Sequence, residues 1–246
     1  MNITIYTLTY NEAFMLPHFI AHYRRNFPGC RIVVYDNEST DDTRRIAEAA
    51  GCEVRINATG GKLDDMRYLE IKNNCWKELQ QENALSPQWG TWAIVCDCDE
   101  FLDITAADLH EEEMLGTTII TTQGYNMVNV QSLPFNSITH AVRATSYDKA
   151  ICFNTLYLSN INYNAGCHSA NPQGISVQYS DAANPYRLRH YKYMGVAYMV
   201  ARFAANAARM SDNNLKNGYG FHYLSGESEI RAEFNLVCKQ VKRIIK

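Results

Sequence analysis

The tetrapeptide Asp97-Cys98-Asp99-Glu100 follows directly on the apolar run Trp92-Ala93-Ile94-Val95-Cys96. Two carboxylates at i and i+2, leaving the end of a buried strand, can both turn toward one hard cation. Mg²⁺ and Mn²⁺ take oxygen ligands and share them with substrate phosphates. Ligands in open α/β sheets also bind at the carboxyl ends of strands. The competing reading is a surface turn that closes a strand.

Two earlier segments share this construction. Thr7-Leu8-Thr9-Tyr10-Asn11-Glu12 ends the first strand where a loop turns into a helix, offering N–H groups and hydroxyls to an anionic or nucleotide ligand. Asn11 with Glu12 is equally good helix-start chemistry. Tyr35-Asp36-Asn37-Glu38-Ser39-Thr40-Asp41 repeats the arrangement after the second strand. Ser39 and Asp41 suffice for a helix start, whereas Asp36 stands before the turn, where a carboxylate can accept from a ribose hydroxyl or a base N–H.

The elements that must position these groups alternate along the first half. Apolar and β-branched runs predict strands over residues 3–8, 31–35, 53–56 and 91–96. Helices are expected over 16–25, with Pro17 in the first turn, over 39–50, closed by Gly51, and as one longer segment over 64–81. This alternation implies right-handed βαβ units and a mostly parallel sheet. Beyond the acidic motif the pattern changes. A helix is expected over 106–115, a strand over 117–122, mixed strands and long loops over 124–179, an alanine-rich helix over 195–210 and an amphipathic helix over 227–245. With no repeat or linker in view, one domain over 1–246 is the simpler expectation, with a nucleotide-binding half over 1–103 and an acceptor-binding half with C-terminal helices over 104–246.

Composition narrows the partners. A formal charge of −3 and a pI near 6.2 provide no overall basic field for nucleic acid. No apolar run approaches bilayer length, and the first residues read as a strand rather than a signal peptide. The eight cysteines are scattered without zinc-site spacing, so reduced thiols in a cytoplasmic protein are expected. The tail from Cys238 is basic and amphipathic, a composition suited to weak contact with an anionic membrane surface, although an ordinary terminal helix is the better reading.

Together the segments resemble the GT-A glycosyltransferases, particularly family 2 and related short bacterial, viral and family 92-like enzymes. Thr9-Tyr10-Asn11-Glu12, the run Tyr35 to Asp41, and Cys96-Asp97-Cys98-Asp99-Glu100-Phe101-Leu102 match that family's N-terminal signatures in order. Later, Lys149-Ala150-Ile151, Gly166-Cys167-His168 and Arg189-His190-Tyr191-Lys192 look like its further landmarks. The resemblance implies a GT-A (Rossmann-like), mostly parallel central sheet flanked by helices, with a mixed α+β C-terminal half. It implies metal-dependent transfer of a sugar from a nucleoside-diphosphate sugar, UDP-sugars favoured, to a glycan or other hydroxyl acceptor in polysaccharide or glycoconjugate synthesis. Mn²⁺ or Mg²⁺ would be the cofactor. Thr9, Asn11, Glu12, Asp36, Arg67, Asp97 and His168 would then serve the nucleotide, and Asp97, Asp99 and His190 the metal. Inversion at the anomeric carbon is favoured and needs a base to deprotonate the acceptor. Glu111, Glu112, Glu113, Asp148 and Asp181 are all open, with Asp148 placed first because it adjoins Lys149 and the loop-rich half. A sugar nucleotidyltransferase would need a Gly-rich basic loop that residues 7–12 lack. A non-catalytic nucleotide- or glycan-binding domain is the remaining alternative.

Overall fold

The computed structural model describes residues 2–85 and 91–245. Strands β1 (Asn2–Thr9), β2 (Arg31–Asp36), β3 (Glu53–Ile56) and β4 (Thr91–Asp97) form a parallel sheet in the order β3-β2-β1-β4, with antiparallel β8 (Cys152–Asn154) on the far edge. Their side chains alternate between two cores, as period-2 strands buried on both faces require. Ile3, Ile5, Ile32, Val34, Trp92 and Ile94 face one side, and α1 (Leu16–Asn26) packs Leu16, Phe19, Ile20 and Tyr23 against them. Tyr6, Leu8, Val33, Ala93 and Val95 face the other, under Ile71, Cys75, Trp76 and Leu79. The expected α/β architecture is present, a mostly parallel sheet with apolar cores on both faces.

Pro17 occupies the first turn of α1, as expected. The single helix expected over 64–81 is two, α3 (Asp65–Asn74) and α4 (Lys77–Leu85), and both pack on the same core across Cys75 and Trp76. The second helix is short, α2 (Thr43–Ala49); of the residues read as its start, Asp41 accepts from Thr43 N at 2.9 Å, while Ser39 Oγ accepts from Asn11 N at 2.9 Å and Thr40 N donates to Asn11 Oδ1 at 2.8 Å.

The second half contains a sheet that was not foreseen. Its order is β12 (Lys242–Arg243), β7 (His140–Arg143), β6 (Thr122–Val128), β11 (Tyr186–Tyr193), β5 (Glu100–Asp103). β11 runs parallel to β6 and antiparallel to β5. The strand expected over 117–122 starts only at Thr122; Ile119 before it makes isolated bridges to Phe153 and Tyr179. Short strands β9 (Leu158–Asn160) and β10 (Gln173–Gly174) form a separate pair. Helices α5 (Ala106–Met114), α6 (Val196–Ala208), α7 (Asp212–Asn217) and α8 (Glu227–Cys238) complete the chain. The helix expected to reach residue 245 ends at Cys238, because Lys242 and Arg243 join the sheet edge while Ile244 and Ile245 pack on the first core and bond Thr139 O. The basic tail is therefore not one amphipathic helix. All eight cysteines are free, and among the described residues no helix is long and apolar enough to cross a membrane.

Candidate active site

The carboxyl ends of β1 and β4 open into a cleft of about 660 Å³, roofed by α6 and the turn after α7. Thr9, Asn11, Glu12, Asp97, Asp99, His168 and His190 all line it, so most of the residues singled out from sequence converge on one space.

Loop geometry explains the β1 side. Asn11 takes a positive φ of 53°, a conformation that asparagine tolerates because its short polar side chain bonds locally. Its Oδ1 accepts from Thr40 N and Asp41 N, and Glu12 N donates to Thr43 Oγ1 at 2.7 Å. The two strand-end loops are thus stitched together. Asp36 belongs to that stitching: it is buried, accepts from Thr9 Oγ1 and Ser39 N, and is not among the cleft-lining residues.

Asp97 and Asp99 meet different cations. Asp97 Oδ1 lies 2.6 Å from Lys72 Nζ, and its Oδ2 is 3.9 Å from Lys149 Nζ, which also pairs with buried Glu100. Burial pushes the Asp97 carboxyl up, but Lys72 and Lys149 outweigh it and hold it below the usual range. Asp99 Oδ2 lies 3.1 Å from Arg202 of α6 and 3.5 Å from His190 Nε2. Burial again opposes ionisation, and His190 with Arg202 overcomes it, keeping Asp99 well below the carboxylate range. Arg202 also grips Glu12 at 2.7 Å. There burial wins, and the Glu12 carboxyl rises to about 7 despite the guanidinium.

His190 reaches this point through the second sheet. The ladder between β11 and β5 sets it opposite Glu100, and Tyr191 N donates to Asp99 O at 2.9 Å. Tyr147 stacks on its ring at 4.0 Å. Gly124 permits that approach, since a Cβ there would collide with Tyr147. His190 Nδ1 bonds Asn126 Oδ1 at 2.7 Å. With that oxygen as acceptor, Nδ1 carries a proton, and Nε2 is the nitrogen that faces Asp99. An anchored Nδ1–H is the usual support of an imidazole that binds a metal through its other nitrogen. Asp99 and His190 therefore fit a divalent cation that takes its other ligands from substrate and water. Both carboxylates already meet cations, Asp97 with Lys72 and Asp99 with Arg202, so a metal ion at either takes the place of one of them. Among the described residues no group of three or more His, Cys, Asp and Glu side chains could hold a metal alone.

Other expectations fall outside the cleft. Arg67 is exposed, bonds Asn57 and Glu70, and does not line the space. Lys72, on the same helix, does; five residues at 100° each turn it well away from the Arg67 face. Asp148 accepts from Gly124 N and Arg143 in a neighbouring hollow. The basic cluster of β11 is also spent elsewhere, Arg187 and Arg189 on Asp103 and Lys192 on Glu233. His168, exposed at the rim, bonds Ser146 O, and burial, then Lys149, lowers its pKa.

Sequence reasoning missed Lys72, Arg202 and Arg209. Signals existed: Lys72 follows apolar Leu69 by three residues and precedes Trp76 by four, and Arg202 and Arg209 stand seven apart in the alanine-rich segment whose helix ends at Ala208. Asp65, also unforeseen, is the one cleft carboxylate without an ion pair among the described residues, and burial, then the charge of Asp97, raises it.

No family model matches the chain. Protein RfbJ of Shigella flexneri is 38% identical over 68 residues, which are 28% of this chain and 53% of RfbJ, so the match spans about half of that relative. Among solved structures, S. aureus TarS aligns over 95% of this chain and 43% of its own, at 14% identity and a TM-score of 0.44. A TarS 1–349 structure in complex with UDP-GlcNAc aligns over 91% and 72%, at 14% identity and 0.42. Glucosyl-3-phosphoglycerate synthase from Mycobacterium tuberculosis, in complex with Mn²⁺, UDP and glucosyl-3-phosphoglycerate, aligns over 50% and 44%, at 19% identity and 0.29.

Proposed function

We infer that this protein is a glycosyltransferase that moves a sugar from a nucleoside-diphosphate sugar, a UDP-sugar being favoured, to a hydroxyl of a glycan or other acceptor. The observation that carries the reading is the convergence, in one cleft at the ends of parallel strands, of the Thr9 and Asn11 loop, Asp99 with His190, and the cations Lys72, Lys149, Arg202 and Arg209. That set suits a ligand with a polar nucleoside and a strongly anionic diphosphate.

Asp99 and His190 would hold a divalent cation, Mn²⁺ or Mg²⁺, whose contribution is to neutralise the departing diphosphate. Thr9 and Asn11 position the nucleoside, and Arg202 of α6 and Arg209 just past its end close over the phosphates. For an inverting transfer the base passes from Asp148 to Asp65, which lies in the cleft, has no cation on it and carries a raised carboxyl. Mn²⁺-dependent release of nucleoside diphosphate from one of the UDP-, GDP- or dTDP-sugars tests the reading. Stabilisation by such a donor with no turnover toward water or a panel of sugar acceptors would instead favour the non-catalytic binding domain.

A further inference from the structure

We propose that the hollow beside the cleft is the acceptor subsite and that it takes an uncharged pyranose. The inference rests on the donor-site reading above and names the substrate class that meets the donor.

The hollow encloses about 410 Å³, within the range of small-molecule sites. Lys149 and His168 line both it and the cleft, so the two spaces share a wall. That wall stands at the end of the cleft where Asp99 and His190 meet. The His168 ring lies 5.3 Å from Tyr147, whose ring stacks on His190 at 4.0 Å. Attack on the anomeric carbon needs the acceptor hydroxyl held beside the departing diphosphate, and a sugar seated in the hollow approaches from that side.

The walls of the hollow offer little net charge. Arg143 and Asp148 are paired with each other, and the Lys149 ammonium is engaged by Glu100 and faces Asp97. Burial, then Lys149, lowers the pKa of His168, so its ring is uncharged at neutral pH. Three residues on these walls keep hydrogen-bonding groups that no described residue meets. Gln123 accepts from the Tyr125 hydroxyl and has its amide N–H groups left over. The Tyr179 hydroxyl has no partner among the described residues, and His168 gives Nδ1 to Ser146 O and keeps Nε2. Neutral donors and acceptors together suit hydroxyls, which donate and accept at once.

Tyr179 supplies the apolar face. Its ring is 51% exposed, yet its backbone is held in place. It bridges Ile119, Ser180 N donates to Ile119 O at 2.9 Å, and Thr121 N donates to Ser180 Oγ at 2.8 Å. An exposed aromatic ring on a fixed backbone is a platform for the C–H face of a pyranose, with few rotamers to lose on binding. His168 Nε2 then accepts from a sugar hydroxyl and turns the ring toward the cleft.

Saturation-transfer difference NMR tests this without turnover, using the methyl glycosides of glucose, galactose, N-acetylglucosamine and rhamnose with and without UDP and Mg²⁺. At least one glycoside should bind, and Tyr179→Ala should weaken it about fivefold or more. His168→Phe keeps a ring beside Tyr147 but no Nε2, and should weaken it about threefold or more. Circular dichroism confirms that both variants are folded, and calorimetry should find UDP affinity in Tyr179→Ala within about twofold of the parent's. No binding by any of these glycosides, or unchanged binding in either folded variant, overturns the subsite. So does a loss of UDP in Tyr179→Ala as large as the loss of glycoside, which would move Tyr179 into the donor site. Tighter binding of methyl glucuronide than of methyl glucoside overturns the uncharged class. A glycoside that depends on Tyr179 in a protein that does not bind UDP sinks only the donor reading.

Discussion

Asp97 and Asp99 are two residues apart, yet they stand in regions built on different principles. Asp97 belongs to a packed network in which Lys149 and Glu100 are almost wholly enclosed, with side chains 2% and 1% exposed. Asp99 belongs to a seam between elements, where Arg202 of α6 and His190 of β11 come to meet the strand-end loops. In the first region charges are matched inside the fold, so losing one strands its partner. In the second, Arg202 is 29% exposed at the cleft, where a ligand can draw it away from its carboxylates. A buried, matched pair maintains geometry; a seam can exchange partners.

The sharpest break of this comparison is Lys149→Met. It leaves Glu100 buried without its cation, which should cost about 3–5 kcal/mol of stability, read as a lower midpoint in urea unfolding. A midpoint equal to the parent's would mean that the network is not structural. Asp99→Asn should lower the urea midpoint less, since Arg202 keeps its Glu12 partner, but should lower Mn²⁺-dependent turnover by on the order of a hundredfold. Turnover near the parental rate in that variant would remove Asp99 from the metal site.

Glu12 sharpens the comparison through pH. Its carboxyl rises from the ordinary 4.5 to about 7 because burial outweighs Arg202. A raised carboxyl favours the folded state while protonated, so its contribution is full below about pH 4.5 and lost as pH rises through about 7. Melting temperature should therefore fall across that window by an amount corresponding to on the order of 1–3 kcal/mol, and Glu12→Gln should flatten the fall. An equally steep slope in the variant would assign the loss to other groups. The smallest effect is expected outside both regions. Asp148→Asn should keep donor turnover within about threefold, because the loss of one partly exposed ion pair is worth under about 1 kcal/mol, while Asp65→Asn should lower turnover more than that. The reverse order, measured side by side, would restore Asp148 as the base.

The parallel half was legible because its information is local. Period-2 apolar runs, a proline in a first helical turn and acidic residues after strands specify β1 to β4, α1 and the strand-end motifs without reference to distant residues. β11 was not legible as a strand. Tyr186-Arg187-Leu188-Arg189-His190-Tyr191-Lys192-Tyr193 reads as a basic cluster until β5 and α8 supply the Asp103 and Glu233 that neutralise it. The break between α3 and α4 and the early end of α8 were hidden similarly, since packing and sheet pairing compete with helix periodicity at those points.

What the sequence by itself determined is the set of chemical groups and the strand ends that carry them: Thr9, Asn11, Asp97 and Asp99. Which cation stands against which carboxylate was decided only by the tertiary structure. Lys72 meets Asp97 across 25 residues, Lys149 meets Glu100 across 49, and Arg202 meets Asp99 across 103 and Glu12 across 190. Local periodicity cannot encode those distances, because each depends on how far-apart segments pack. Pairing in turn sets the electrostatics, so the same Asp-x-Asp spacing yields one carboxylate held by lysines and one held by an arginine and a histidine.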